Sequence, residues 1–131
     1  MKKWIIGLCI ILGLIGIILA GGDNSEQAAQ SPSSQITTIE QNLDNGAVLV
    51  DVRTAEEYQS GHAAKAINIP LQQIQSGQYG NISPEQQIYV YCRSGNRSAQ
   101  AIEILKQAGY HNLTDLVSLD NWQSLGGEVT R

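Results

Sequence analysis

Phenylalanine is absent from this chain of 131 residues, and aromatic residues of all kinds make up only 5% of it. A core must therefore be assembled from Ile, Leu, Val, Ala and a few Tyr. Only two cysteines occur, Cys9 and Cys92. Cys9 lies in an apolar leader, so the remainder holds one cysteine and cannot form an intramolecular disulfide. Neither His62 nor His111 stands at a metal-ligand spacing from Cys92, and no metal or other cofactor is expected. Positive charge is scarce. Eight Lys and Arg face twelve Asp and Glu, and setting Lys2 and Lys3 aside leaves a formal charge of −6. That balance argues against nucleic acid or an anionic membrane surface as a partner.

Three segments of different composition follow one another. Residues 1–22 begin with Lys2-Lys3 and continue into Trp4 to Ala20, seventeen uncharged and almost wholly apolar residues. A basic start before an apolar run reads as a signal peptide or an N-terminal membrane anchor. Its length favours the anchor, whereas Ala20-Gly21-Gly22 offers small residues for cleavage before Asp23. Either way Lys2 and Lys3 stay inside and the rest is exported, to a periplasmic or other extracytoplasmic location. Leu8 stands where a lipoprotein needs a small residue before Cys9, which excludes that reading. Residues 23–35, rich in Ser and Gln, form a flexible polar linker. Residues 36–131 are long enough for one compact domain.

Within the domain, strand and helix signals alternate. Ile36 to Ile39 is a short β candidate, followed by a helical turn that ends at Asn45-Gly46. Ala47 to Val52 is nearly continuously apolar, as a strand buried on both faces should be. Thr54 and Glu57 fit a capping box for a helix that Gly61 stops. Ala66 to Ile69 reads as a strand ended by Pro70, and residues 71–75 as a short helix. The next strand spans 87–91. Ala101, Ile104, Leu105 and Ala108 then show helical spacing before Gly109. A last strand is expected at 112–116 and a last short helix at 119–125. This order predicts an α/β domain with a mostly parallel sheet flanked by helices. Ligands in such sheets bind beyond the carboxyl ends of the strands, where Cys92 falls.

The stretch Cys92-Arg93-Ser94-Gly95-Asn96-Arg97 joins a strand to a helix. The helix dipole and the inward-facing N–H groups of such a loop lower a thiol's pKa and favour an anion on its sulfur. A solitary cysteine in an exported domain is either paired with another molecule or reactive. Cys92 is therefore the candidate nucleophile, against the alternative of a buried structural cysteine. The backbone from Arg93 through Ser94, Gly95 and Asn96 to Arg97 is the candidate anion nest, with Gly95 allowing its tight curvature. Arg93 and Arg97 are candidates to attract an anionic substrate. For Arg97 the alternative is a bracing pair with a carboxylate. Ser98 reads first as the N-cap of the following helix, with a contact to the bound group as the second possibility.

These residues resemble the active-site loop of the rhodanese family, sulfurtransferases that carry sulfur as a cysteine persulfide. Asp51-Val52-Arg53, Glu57-Tyr58, Gly61-His62 and Ala66-Ile67-Asn68-Ile69-Pro70 resemble that family's first signature, in the same order. Trp122 with Leu125-Gly126-Gly127-Glu128-Val129 resembles its C-terminal end, so the likeness runs from about Gln35 to Val129. Two departures stand out. Val117-Ser118 occupies the place of a usual Gly-Gly pair, and Ala63-Ala64-Lys65-Ala66 follows Gly61-His62. The resemblance implies a sulfane sulfur moved from a small anionic donor such as thiosulfate to a thiol or cyanide acceptor. A persulfide carrier loaded by a protein partner is the alternative. It further implies that Asp51 and Arg53 brace the domain near the loop, and that His62 is a structural hydrogen-bonder rather than a general base. Related phosphatases and arsenate reductases resemble Cys-x5-Arg. The spacing here is Cys-x4-Arg, a shorter loop that suits sulfur better than a tetrahedral oxyanion.

Overall fold

The computed structural model describes residues 30–131. The apolar run at 4–20 and most of the expected linker lie outside them. Among the described residues no helix is long and apolar enough to cross a membrane.

A four-stranded sheet forms the centre. Strand β1 (Val48–Asp51) lies between β3 (Ile67–Asn68) and β4 (Gln87–Cys92), and β5 (Asn112–Ser118) borders β4 on its far side. Every pairing in this sheet is parallel, with Val50 opposite Val90 and Ile67. The apolar run of β1 and the burial of Ile88 to Cys92 follow from coverage on both faces. A separate antiparallel pair joins β2 (His62–Ala63) to β6 (Val129–Thr130).

Side-chain alternation along the strands divides the core in two. Val50, Ile88, Val90 and Cys92 pack with Ile74 of helix α3 (Leu71–Gln75) and with Ala101 and Leu105 of α4 (Asn96–Gln107). Leu49, Tyr89 and Tyr91 face the other way, against Ile36 and Ile39 of α1 (Pro32–Asp44) and Trp122 of α5 (Leu119–Ser124). Without phenylalanine, Trp122, Tyr91 and Tyr89 supply the bulk of that second layer. A Cβ on Gly127 would lie 2.2 Å from the Trp122 ring, which explains the glycine at that position.

The region before β1 differs from expectation. Ile36–Ile39 is helical, not a strand, and residues 32–35 of the expected linker form the first turn of α1. Pro32 at the first helical position presets φ, and Ile36, Ile39 and Leu43 recur on one face that packs against the sheet. Thr37 and Thr38 turn their hydroxyls back to the carbonyls of Ser33 and Ser34. Their β-branching suggests a strand, but burial of the isoleucine face outweighs that propensity. Two helix-end signals hold. The Thr54–Glu57 capping box opens α2 (Ala55–Ser60) with both reciprocal bonds. Gly109 (φ +95°) ends α4 as the left-handed residue of a Schellman motif, its N–H on Lys106 O and the Tyr110 N–H on Leu105 O.

Candidate active site

β4 delivers Cys92 to the carboxyl edge of the sheet, and the chain turns through Arg93, Ser94 and Gly95 into α4. Gly95 adopts φ +97°, a conformation that favours glycine, and stands at the N-cap of α4. Its N–H donates to Cys92 Sγ at 3.0 Å. The sulfur also lies 3.6 Å from Ser98 Oγ and 3.4 Å from the Val117 carbonyl oxygen. Burial of Cys92 pushes its thiol pKa up. The backbone N–H and hydroxyl of Ser98, with the N–H groups of Gly95 and Ser94, outweigh burial and hold it below the ordinary 9.0.

Ser98 does not cap the helix, in contrast to the sequence expectation. It occupies the third helical position, and its hydroxyl, 3.0 Å from Gly95 O and 3.6 Å from Cys92 Sγ, can turn its one proton to either. The loop curls tightly enough that α4 begins three residues earlier, at Asn96. This places Ser98 beside the sulfur. Asn96 faces solvent, with its Oδ1 accepting from Gln100 Nε2. Thus Ser94, Gly95 and Ser98 gather around Cys92, and Asn96 does not.

The two arginines of the loop differ. Arg97 forms a bidentate pair with Glu57, at 2.7 and 3.0 Å. Of its two expected roles, the bracing pair is the one present. Hydrogen bonding from Arg97 lowers the Glu57 pKa to about 2, against opposing burial and with help from the Thr54 N–H. Arg93 makes no ion pair or side-chain hydrogen bond among the described residues and is exposed. It lines a cleft of about 360 Å³ together with Arg53, Glu57, Ser60, Leu119 and Asp120.

Below the loop a buried network ties β1 to β4. Arg53 Nε donates to both oxygens of Asp51 at 3.0 Å, and its Nη2 reaches Asp51 Oδ2 at 2.6 Å and Gly61 O at 2.7 Å. Tyr91 Oη donates to Asp51 Oδ2 at 2.7 Å and accepts from the Ala63 N–H. Burial, then the bond to Asp51, drives the Tyr91 pKa upward, so it remains a donor. Asn68 Nδ2 donates to Asp51 O and Arg53 O. Every buried polar atom of this network is matched, as a charge inside a protein requires. His62 stacks on the Tyr58 ring with centroids 3.6 Å apart, and its Nδ1–H donates to Tyr58 O at 2.8 Å. Among the described residues no group of His, Cys, Asp and Glu could hold a metal ion.

Tyr91, Asn68 and Val117 are absent from the residues singled out by sequence as site candidates. Tyr91 carried a signal, a polar tip within a buried apolar strand. Val117 carried one only as a departure from the pair of glycines. It sits at φ +70°, a conformation that costs a β-branched residue about 1–3 kcal/mol. There the β5–β4 register shifts, so that Asp115 opposes Val90 and Val117 opposes Tyr91.

The family described as the rhodanese-like domain matches residues 35–124. The chain is 41% identical over 63 residues to the thiosulfate sulfurtransferase PspE of Escherichia coli, covering 47% of this chain and 60% of that protein. It is 29% identical over 99 residues to the putative sulfur carrier protein YrkF of Bacillus subtilis, covering 74% of this chain and 53% of YrkF. The chain thus spans little more than half the length of these curated relatives. A crystal structure of a rhodanese-related protein from Thermoplasma volcanium superposes with a TM-score of 0.60 at 30% identity, over 72% of this chain and 93% of that one.

Proposed function

The chain belongs to the rhodanese-like domain family, and from that premise we propose that it is an exported sulfurtransferase working through a Cys92 persulfide. The observation that carries this reading is the convergence on Cys92 Sγ. Backbone N–H groups and the Ser98 hydroxyl surround a sulfur whose pKa they hold down. Such an arrangement favours a thiolate and, one atom further out, the anionic end of a persulfide.

The Cys92 thiolate attacks the outer sulfur of thiosulfate. An S–S bond forms to Sγ, the bond to the sulfonate sulfur breaks, and sulfite leaves with the electron pair. Cyanide or an acceptor thiolate then attacks the outer sulfur of Cys92–S–S⁻. The Sγ–S bond breaks with its electron pair returning to Cys92, and the product is thiocyanate or the acceptor's persulfide. Two half-reactions sharing one covalent intermediate give ping-pong kinetics. Arg93, which lines the cleft and makes no ion pair among the described residues, receives the anionic donor. Arg97 and the Asp51–Arg53 pair hold the loop and the strand beneath it. Export rests on the Lys2-Lys3 start and the apolar run after it, with residues 1–22 as leader or anchor and 23–35 as tether. The N-terminal sequence of the mature protein tests this, since cleavage yields Asp23 and an anchor leaves the N-terminus intact.

A protein-loaded persulfide carrier is the second reading, favoured by the similarity to YrkF. The deciding experiment incubates the purified protein and Cys92→Ser with thiosulfate and cyanide. Thiocyanate release by the wild type alone, with one added sulfur on Cys92 by intact mass, supports the enzyme. Neither product nor added sulfur would sink thiosulfate as donor and shift the weight to the carrier.

A further inference from the structure

We propose that Val117 is a positioning residue for Cys92, holding the Cys loop in its sulfur-binding shape through its side chain. The inference rests on the reading of Cys92 as the reactive sulfur.

Four observations meet at this residue. Val117 has φ +70°, a conformation that a β-branched side chain rarely adopts and that glycine would accept without strain. Its backbone is pinned there, because the Val117 N–H donates to Asp115 Oδ1 at 2.8 Å across the register shift of β5. Its carbonyl oxygen lies 3.4 Å from both Cys92 Sγ and Ser98 Oγ. Finally, a Cβ built on Gly95 would stand 2.8 Å from Val117 Cγ1, so the isopropyl group lies directly against the loop glycine whose N–H binds the sulfur.

Burial does not account for the valine, since it remains 43% exposed while its neighbour Leu116 is 5% exposed. Backbone geometry does not account for it either, since the position suits glycine. What the isopropyl group supplies is contact with Gly95. The Gly95 N–H can point at Cys92 Sγ only while the peptide before Gly95 keeps its orientation. Glycine itself permits many others. A β-branched side chain, stiff at χ1 and lying against Gly95, removes that freedom. Strained residues of this kind persist where the surroundings over-determine them.

The test uses the full chain with Val117→Gly and Val117→Thr, the latter keeping the branched shape. Two quantities are read below the unfolding temperature of each protein, the pH profile of Cys92 alkylation by iodoacetamide and the rate of persulfide formation from thiosulfate. The proposal expects Val117→Gly to unfold no earlier than wild type. Its alkylation at neutral pH should nevertheless fall about tenfold, with the profile moved to higher pH, as loss of positioning by a fraction of an ångström can produce. Val117→Thr should retain the wild-type profile. An unchanged profile in Val117→Gly, or an equal loss in both variants, overturns the proposal. Alkylation needs no sulfur donor. A wild type that alkylates normally but gains no sulfur from thiosulfate therefore counts against the proposed donor and leaves the Val117 comparison intact.

Discussion

On the side of β1 and α2 the Cys92 loop is braced by charge, and on the side of β5 by backbone geometry. The first wall consists of Asp51, Arg53 and Tyr91 beneath the loop and the Glu57–Arg97 pair beside it. Its bonds join residues as far apart as Glu57 and Arg97, and each charged group has a partner of opposite sign. The second wall is the end of β5, where Val117 turns its carbonyl toward the sulfur. No ion pair among the described residues acts there; a register shift, one carboxylate–amide bond and a side chain lying on Gly95 do the holding. The two walls resist different perturbations. A charged wall is sensitive to pH and to removal of one partner, and a backbone wall to whatever changes φ or the branching of a single side chain.

The comparison can be broken most severely on the charged side. Asp51→Ala leaves Arg53 buried without its carboxylate and Tyr91 without its acceptor, and should lower unfolding free energy by about 3–5 kcal/mol in a denaturant titration. Arg93→Ala, in the cleft and outside both walls, should leave the denaturation midpoint unchanged. It should raise KM for an anionic donor about tenfold, the scale of one lost charge-assisted contact, and flatten the salt dependence of kcat/KM. Ser98→Ala removes one of the groups that hold the Cys92 thiol pKa down. Its alkylation profile should therefore move toward the ordinary value of 9.0, leaving less thiolate at neutral pH. The smallest effect should come from Glu57→Gln, because this pair is partly solvated, and about 0.2–1 kcal/mol is expected near neutral pH. Its signature is the pH dependence. The folded-state pKa of Glu57 is depressed from 4.5 to about 2, so the pair's stabilisation is complete above 4.5 and lost as pH falls toward 2. Acid titrations of stability should show wild type losing ground to Glu57→Gln across that window. Parallel curves would mean that the pair contributes nothing.

Much of the fold was legible because its signals are local. The apolar run of β1, the Thr54–Glu57 capping box and the glycine stop at Gly109 each lie within a few residues and are governed by hydrogen bonds over those residues. Helix α1 shows the limit. Ile36-Thr37-Thr38-Ile39 has the composition of a strand, and only the sheet face waiting for Ile36 and Ile39 makes it a helix. At the site, the lone cysteine, its loop spacing and its place at the end of a buried strand were all readable. The choice between two roles for Arg97 was not, because Glu57 lies forty residues earlier.

By itself, then, the sequence determined the alternation of strand and helix, and one domain cysteine placed at a strand end at the head of a Cys-x4-Arg loop. Those properties follow from composition, period and spacing along one stretch of chain. The tertiary structure alone decided that Arg97 pairs with Glu57 while Arg93 makes no ion pair among the described residues, that Tyr91 anchors the buried Asp51, and that Val117 bears on Gly95. Each of these depends on which distant segments meet at the carboxyl edge of the sheet. Such contacts form only when burial on both faces of β4 brings β1, α2 and β5 together around Cys92.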